Sequence, residues 1–416
     1  VLEFLRCYAR DCGSVSNENQ HPPVPLVELG RQNAEFEEEL LSEVRRILQS
    51  SQFILGREVE AFEQRFAAEV GAFHAVGMSS GTDALVASLM ALDIGPGDEV
   101  LCPAFTFFAT AGSIARVGAT PVFVDVCPAC FNLDTDDLKS KVTDKTKAIL
   151  PVHLFGQAAE MDTIMEIARE HELLVIEDCA QALGAKYRGT DVGTMGTVGC
   201  YSFFPTKNLS GFGDAGMVTT NDDQLAETLR RVRNHGMFPK YEHVRMGGNF
   251  RIDAIQAAML GVKLPHLPRW IAARAEHAAY YTASLSSMAG VQTSLESDCC
   301  CLTEQESRLG SKTEIILPVA YEHNVPTWNQ YTIRVVRKGA RNRLVEVLRA
   351  SGVGCEIYYP KSLDQQPCFE NSRPERSLRV SNLLAGQCLS LPVFPELKPV
   401  ERERVVAVIG EWLARQ

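Results

Sequence analysis

Two ionisable side chains stand where apolar runs end. Asp178 closes Leu173-Leu174-Val175-Ile176-Glu177-Asp178, and Lys207 follows Val198-Gly199-Cys200-Tyr201-Ser202-Phe203-Phe204-Pro205-Thr206. Short apolar runs of this kind read as buried strands, so a carboxylate and an amine are carried to strand ends. A carboxylate buried there without a partner is costly, which demands a cation or hydrogen-bond donors beside it. An amine among Phe203, Phe204, Leu209 and Phe212 is partly desolvated, which lowers its pKa and makes it a nucleophile. The pair suits pyridoxal phosphate: the carboxylate keeps the pyridine nitrogen protonated, and the amine forms a Schiff base with the aldehyde. A structural ion pair at Asp178 and a surface lysine at Lys207 are the bland alternatives.

Other segments carry polar groups to comparable places. Ser79-Ser80-Gly81-Thr82-Asp83-Ala84-Leu85 follows an apolar run and opens a helix-like one. Gly81 permits close backbone approach, and free N–H groups at a helix start attract a phosphate. An N-cap and turn is the equally simple reading. No Walker-type lysine follows, which argues against a nucleoside triphosphatase. Phe107, in Pro103-Ala104-Phe105-Thr106-Phe107-Phe108, can stack on a flat ring or simply fill the core. Gln181 can reach a ring from its edge, Ser202 supplies a hydroxyl, and Gly211, Gly213 and Gly216 let the chain pass close to a ligand. Asn249 and Arg251, in Gly247-Gly248-Asn249-Phe250-Arg251-Ile252-Asp253, can both point at anionic groups.

The elements that must hold these residues alternate. β-rich runs appear at 74–78, 99–102, 121–125, 148–152, 173–177, 198–203 and 216–219, most of them separated by helical patterns such as 82–92, 106–117 and 160–170. That alternation predicts an α/β layered domain with a mostly parallel sheet, whose ligands sit beyond the carboxyl ends of the strands. The spacing predicts helix from 29 to about 66 and from 222 to about 264, then a long bridging helix over 269–288. A strand at 330–336, a helix at 341–351, a strand at 355–358 and a terminal helix at 400–415 complete a smaller α+β domain. The expected division is an extension over 1–24, poorly structured, a large domain over 25–266 and a small one over 267–416. Residues 294–313, polar and cysteine-rich, read as an exposed loop.

The formal net charge of −11 disfavours nucleic-acid binding, which wants a basic stripe. No apolar stretch approaches the ~20 residues that cross a bilayer, and no signal core opens the chain. The 13 cysteines form no disulfide framework, and several sit inside apolar runs. These features imply the cytoplasm. Cys127-Pro128-Ala129-Cys130 and Cys299-Cys300-Cys301 lack the second pair a zinc site needs, so no metal is expected.

In their order, Ser80-Gly81-Thr82-Asp83-Ala84-Leu85, Pro103-Ala104-Phe105-Thr106-Phe107, Glu177-Asp178-Cys179-Ala180-Gln181, Thr206-Lys207-Asn208-Leu209, Asn249-Phe250-Arg251-Ile252-Asp253, Tyr358-Tyr359-Pro360 and Leu389-Ser390-Leu391-Pro392 resemble the DegT-type sugar aminotransferases. These are fold-type I pyridoxal-phosphate enzymes, and the likeness runs from about Val24 to the C-terminus. The resemblance implies a seven-stranded, mostly parallel sheet in the large domain. It implies that Lys207 is the Schiff-base lysine and proton shuttle, Asp178 the partner of the pyridine nitrogen and Gln181 that of the ring hydroxyl. Phe107 falls where an aromatic ring stacks on the cofactor, and Gly81, Thr82 and Ser202 fall at the phosphate seat. Asn249 matches a residue that completes the phosphate site from a neighbouring subunit, which implies a homodimer with a shared active site. Arg251 matches a position that touches substrate across that interface. The chain departs from the pattern at Cys127-Pro128-Ala129-Cys130, at Leu363-Asp364-Gln365-Gln366 and at Gly386.

The expectation is therefore a pyridoxal-phosphate aminotransferase that moves an amino group from an amino acid, glutamate by preference, to a 3- or 4-keto nucleotide-linked sugar. The product is an amino sugar for polysaccharide or secondary-metabolite biosynthesis. Two rivals stand beside it. Sugar dehydration or deoxygenation on the same scaffold often replaces the lysine with histidine, which Lys207 argues against. A regulatory protein that merely binds the cofactor would be marked by loss of the lysine or the aspartate, and both are present.

Overall fold

Each of the seven β-rich runs forms a strand in the computed structural model, which describes residues 22–294, 313–372 and 377–416. They are β1 (His74–Met78), β2 (Glu99–Pro103), β3 (Thr120–Val124), β4 (Thr146–Ile149), β5 (Leu174–Asp178), β6 (Val198–Ser202) and β7 (Gly216–Thr220). They make one sheet in the order β1-β7-β6-β5-β4-β2-β3, with β7 alone antiparallel to its neighbours. The other six end at one edge. β1 lies at one edge and β2 next to the other, so the chain crosses the whole sheet between them; ligands of such sheets sit beyond the carboxyl ends of the strands.

Burial on both faces explains the continuous apolar runs. Successive side chains alternate between two cores. Val175 and Leu101 join Phe62, Phe66 and Tyr201 on one face, and Ile176 and Val100 join Leu85, Phe123 and Leu229 on the other. Helix α1 (Gly81–Ala91) leaves β1 through a tight passage. Its N-cap Ser80 accepts the Asp83 N–H at 3.0 Å through Oγ, and Asp83 in turn accepts the Ser79 hydroxyl at 2.6 Å.

Glu177 lies one residue from Asp178, on the opposite face of β5, and is fully buried. Its carboxylate accepts backbone N–H groups of Gly193, Met195 and Gly196 at 2.7, 2.9 and 2.6 Å, and pairs with His153 Nε2 at 3.0 Å. His153 Nδ1 accepts the Ala159 N–H at 3.0 Å, so Nε2 carries the proton and donates. This knot sets the turn that starts β6, and thereby the strand that leads to Lys207.

The small domain is a four-stranded sheet of Val291–Thr293, Ile315–Leu317, Tyr331–Val335 and Cys388–Leu391, covered by helices Leu267–Ser286, Ala340–Ala350 and Pro399–Leu413. Val24, at the end of the stretch expected to be an extension, is buried in this core and bridges Val353. Residues 1–21, and residues 295–312 of the loop expected over 294–313, lie outside the described residues. Two staples tie the small domain to the rim of the large sheet. Asp125 accepts the N–H groups of Val380 and Ser381 at 2.9 and 2.8 Å and the Ser381 hydroxyl at 2.6 Å, capping helix Arg379–Gln387. Leu363 N–H donates to Ala104 O at 2.7 Å, just past β2. On the other flank Arg31 donates to both oxygens of Glu401, at 2.8 and 2.6 Å.

Some elements differ from the pattern in the sequence. The helical run over 29–66 is three helices, Leu29–Glu35, Glu37–Ser50 and Arg57–Val70. The run over 222–264 is two, Asp223–Arg233 and Ala254–Lys263, parted by an irregular segment rich in glycine and exposed aromatics. Residues 355–358 form no strand: only Glu356 bridges, to Ser390, because the segment turns away to bring Tyr359 over the large domain.

Replacing Glu177 with alanine strands three backbone donors and one imidazole. Each buried unsatisfied group costs about 1–3 kcal/mol. We expect Glu177→Ala to lose about 3 kcal/mol or more of unfolding free energy, read by urea titration.

Candidate active site

The carboxyl ends of β5 and β6 meet in register, with Asp178 opposite Cys200. Asp178 is 5 % exposed. Its Oδ2 accepts the Thr110 hydroxyl at 2.9 Å and its Oδ1 the Ala180 N–H at 3.1 Å. Burial nevertheless pushes its pKa up, against the pull of those two donors and of the charge on Lys207. Among the described residues no cation pairs directly with it. A buried carboxylate held ready by hydrogen bonds yet short of a counter-charge is matched by a protonated pyridine nitrogen.

Lys207 lies beyond β6 on the turn that its own N–H closes by donating to Phe204 O at 2.8 Å. The side chain is partly exposed, but burial around the amine brings its pKa down to about 8, with the Asp178 charge opposing. Its amine makes no hydrogen bond to the described residues. A proton that leaves near pH 8 gives a usable fraction of free amine at neutral pH.

Gln181 is locked end for end. Its Oε1 accepts the Phe155 N–H at 2.8 Å, from a residue held at φ 59°, and its Nε2 donates to Tyr359 Oη at 3.0 Å. The second Nε2 proton remains for a ring oxygen. Phe107 is 56 % exposed and leans against Tyr359, ring centres 6.2 Å apart. Phe107 thus offers an exposed aromatic face beside Tyr359, whose hydroxyl meets Gln181.

At the start of α1, the N–H groups of Gly81 and Thr82 have no acceptor within the helix. A Cβ added at Gly81 would sit 2.7 Å from Ser202 Cβ and 3.2 Å from Ser202 Oγ. Glycine is thus required for β1 and β6 to bring two N–H groups and a hydroxyl together, the donor set of a phosphate seat. Gly216 has the same duty: a Cβ there would meet Ser80 O at 2.4 Å.

Asn249 and Arg251 sit apart from this cluster. The segment bridges Asn234 and Met78, and Ser79 N–H donates to Phe250 O at 2.9 Å. Arg251 Nη1 donates to Asn234 Oδ1 at 2.7 Å. Asn249 is exposed, and its amide bonds to none of the described residues.

Two contributors to the site do not stand out in the sequence. Thr110 orients Asp178, and its own hydroxyl lies 3.3 Å from that of Thr106; two threonines four residues apart on an otherwise apolar stretch are the available signal. Tyr359 is visible only as part of a motif, since nothing local says that it crosses from the small domain to Gln181. His153, Glu177 and Cys179 also cluster as closely as the ligands of a metal ion would. Glu177 and His153, however, spend their ligand atoms on the hydrogen bonds described above.

Gly81→Ala must part α1 from Ser202. We expect it to weaken pyridoxal-phosphate binding roughly tenfold or more with little change in thermal stability, read by fluorescence titration; one charge-assisted contact is worth about 1.5–3 kcal/mol.

Against this geometry, comparison with known proteins is unambiguous. Residues 34–410 match the model of the DegT/DnrJ/EryC1/StrS aminotransferase family. A protein named pleiotropic regulatory protein, from Geobacillus stearothermophilus, is 44% identical over 94% of this chain and 98% of its own. A UDP-N-acetyl-3-dehydro-alpha-D-glucosamine 3-aminotransferase from Acidithiobacillus ferrooxidans is 40% identical over 95% of this chain and 99% of its own. Among solved structures, DesV of S. venezuelae in complex with a ketimine intermediate superposes with a TM-score of 0.86 at 38% identity, covering 95% of this chain and all of DesV. With fold, strand-end chemistry and sequence in agreement, the chain belongs to the DegT/DnrJ/EryC1/StrS aminotransferase family.

Proposed function

We propose that this protein is a pyridoxal-phosphate aminotransferase that converts a keto group on a nucleotide-linked sugar into an amine, with glutamate as donor. One observation carries the reading: a buried, cation-seeking Asp178 and a lysine with its pKa lowered to about 8 share the carboxyl edge of neighbouring parallel strands. The relative from Acidithiobacillus ferrooxidans, by its name a 3-aminotransferase, favours C3 of the sugar.

When bound, pyridoxal phosphate supplies an electron sink that lets a proton leave and return at the carbon bearing nitrogen. Gly81, Thr82 and Ser202 hold the phosphate through N–H and hydroxyl donors. Asp178, oriented by the Thr110 hydroxyl and the Ala180 N–H, would hold the proton on the ring nitrogen. Gln181 bonds the ring hydroxyl through its remaining amide proton, and Phe107 covers one face. Lys207 attaches the cofactor through its amine. With its amine free, Lys207 would take the proton from the donor's α-carbon as general base and give it back as general acid. The same proton path, run in reverse, aminates the sugar ketone.

The exposed, unbonded Asn249 supports a homodimer in which this residue reaches the phosphate seat of the partner, with Arg251 beside it facing substrate. Buried thiols at Cys102, Cys179, Cys200 and Cys388 suit a reducing cytoplasm. No helix among the described residues is long and apolar enough to cross a membrane.

Four measurements test the reading. Purified protein given pyridoxal phosphate should turn yellow. The rate of uptake should rise with pH through about 8, as Lys207 loses its proton, and level off above it. Lys207→Ala should lose the visible band and reduce turnover by roughly three orders of magnitude or more; a colourless wild type sinks the proposal. Asn249→Ala should weaken cofactor binding roughly tenfold, and a monomer that keeps cofactor equally well refutes the shared site. Keto sugars linked to UDP, dTDP or GDP, supplied with glutamate, should release 2-oxoglutarate. Cofactor binding without turnover across all three series would instead point to a regulatory role, like that in the name of the Geobacillus relative.

A further inference from the structure

A second lysine is buried against the chain that follows Lys207. Lys263 ends helix Ala254–Lys263 and is 1 % exposed. Its Nζ donates to Ser210 O at 3.0 Å, to Ser210 Oγ at 2.6 Å and to Asn33 Oδ1 at 3.2 Å. The rings of Phe212 and Trp270 flank it, with centres 5.6 and 6.0 Å away. Among the described residues no carboxylate pairs with it. Burial lowers the pKa of the amine to about 8, with only the distant charge of Glu396 opposing. A buried ammonium without a counter-ion is costly. It supplies three donors from one atom, and all three are used.

Two of those donors end on Ser210, three residues past Lys207. The whole stretch is pinned. Asn208 Oδ1 accepts Asn329 Nδ2 at 2.8 Å, Leu209 is fully buried, and Ser210 Oγ donates to Gln32 Oε1 at 3.2 Å. Phe203 O then closes the loop by accepting the Gly211 N–H at 2.7 Å. Two turns back along the helix from Lys263, Gln256 Oε1 accepts the Phe212 N–H at 2.8 Å. Helix Ala254–Lys263 therefore grips the loop at Ser210 and at Phe212. The Lys207 amine itself bonds to none of the described residues, so its place is set by the backbone that these contacts hold.

We infer that Lys263 is a positioning residue for Lys207: by pinning Ser210 it fixes the turn from which the reactive amine reaches the cofactor aldehyde. The inference rests on the reading of Lys207 as the amine that attaches the cofactor. Lys263 acts only on steps that use that amine. Attachment is one: the nitrogen bonds to the aldehyde carbon, and the carbonyl oxygen leaves as water with both amine protons. Binding of pyridoxamine phosphate is not, because that form carries an amine in place of the aldehyde. It needs the phosphate seat, Asp178, Gln181 and Phe107, and no bond to Lys207. Displacing a reacting group by about 1 Å costs roughly a hundredfold in rate.

The test uses the full chain with the variants Lys263→Met and Ser210→Ala. Lys263→Met keeps an apolar stem and removes all three donors. It should slow the appearance of the visible band with pyridoxal phosphate roughly tenfold or more, while pyridoxamine phosphate, followed by calorimetry, binds as it does to the wild type. Ser210→Ala keeps the contact to Ser210 O and should slow the band less. Equal loss of affinity for both cofactor forms marks a general part of the fold and overturns the inference. So does a band that appears in Lys263→Met at the wild-type rate. Should Lys263→Met fail to fold, Ser210→Ala decides: slowing confined to pyridoxal phosphate supports the inference, and uptake at the wild-type rate overturns it. Lys207→Ala is measured beside them. If it gains the band as the wild type does, the reading of Lys207 fails and takes the inference with it, whereas a Lys207→Ala protein without the band leaves the outcome to Lys263→Met.

Discussion

The buried carboxylate of Asp178 is the constraint around which this protein is arranged. An isolated carboxylate at a strand end inside two hydrophobic layers favours its neutral form. Thr110 and the Ala180 N–H pull the other way but do not fully offset burial. A partner cation completes the balance, so affinity for a protonated heterocycle is built into the fold before any ligand arrives. Lys207 is the converse case, an amine whose charge burial disfavours. The two groups thus prepare opposite protonation states within one crevice.

That arrangement depends on backbone placed to a fraction of an ångström. Glu177 faces away from the site, yet its four hydrogen bonds fix where β6 begins and hence where Ser202 and Lys207 fall. Gly81 does the same for the phosphate seat by having no side chain. Structural and chemical duties are therefore divided between adjacent residues: Glu177 sets geometry and Asp178 sets charge.

Much of this is legible in the chain. The alternation of apolar runs and helical patterns locates all seven strands, because burial on both faces leaves an uninterrupted signal. Asp178, Gln181, Ser202 and Lys207 announce themselves as polar residues at the ends of such runs. What stays hidden depends on distant contacts. Glu356 bridges only Ser390, and no local pattern separates that from the strand expected over 355–358. The irregular segment between 233 and 254 has apolar residues that suggest a helix, but Phe238, Tyr241 and Met246 are exposed. Lys263 ends an ordinary helix, and its hold on Ser210 is visible only in three dimensions.

The staples between domains carry a further consequence. Asp125 caps a small-domain helix, Leu363 is tied to Ala104, and Arg31 grips Glu401 on the far flank. With both flanks pinned, the halves of the molecule cannot swing together as rigid jaws without breaking charged contacts. A ligand entering between the two domains therefore meets a frame already joined on both sides, and any closure must draw on elements outside these contacts.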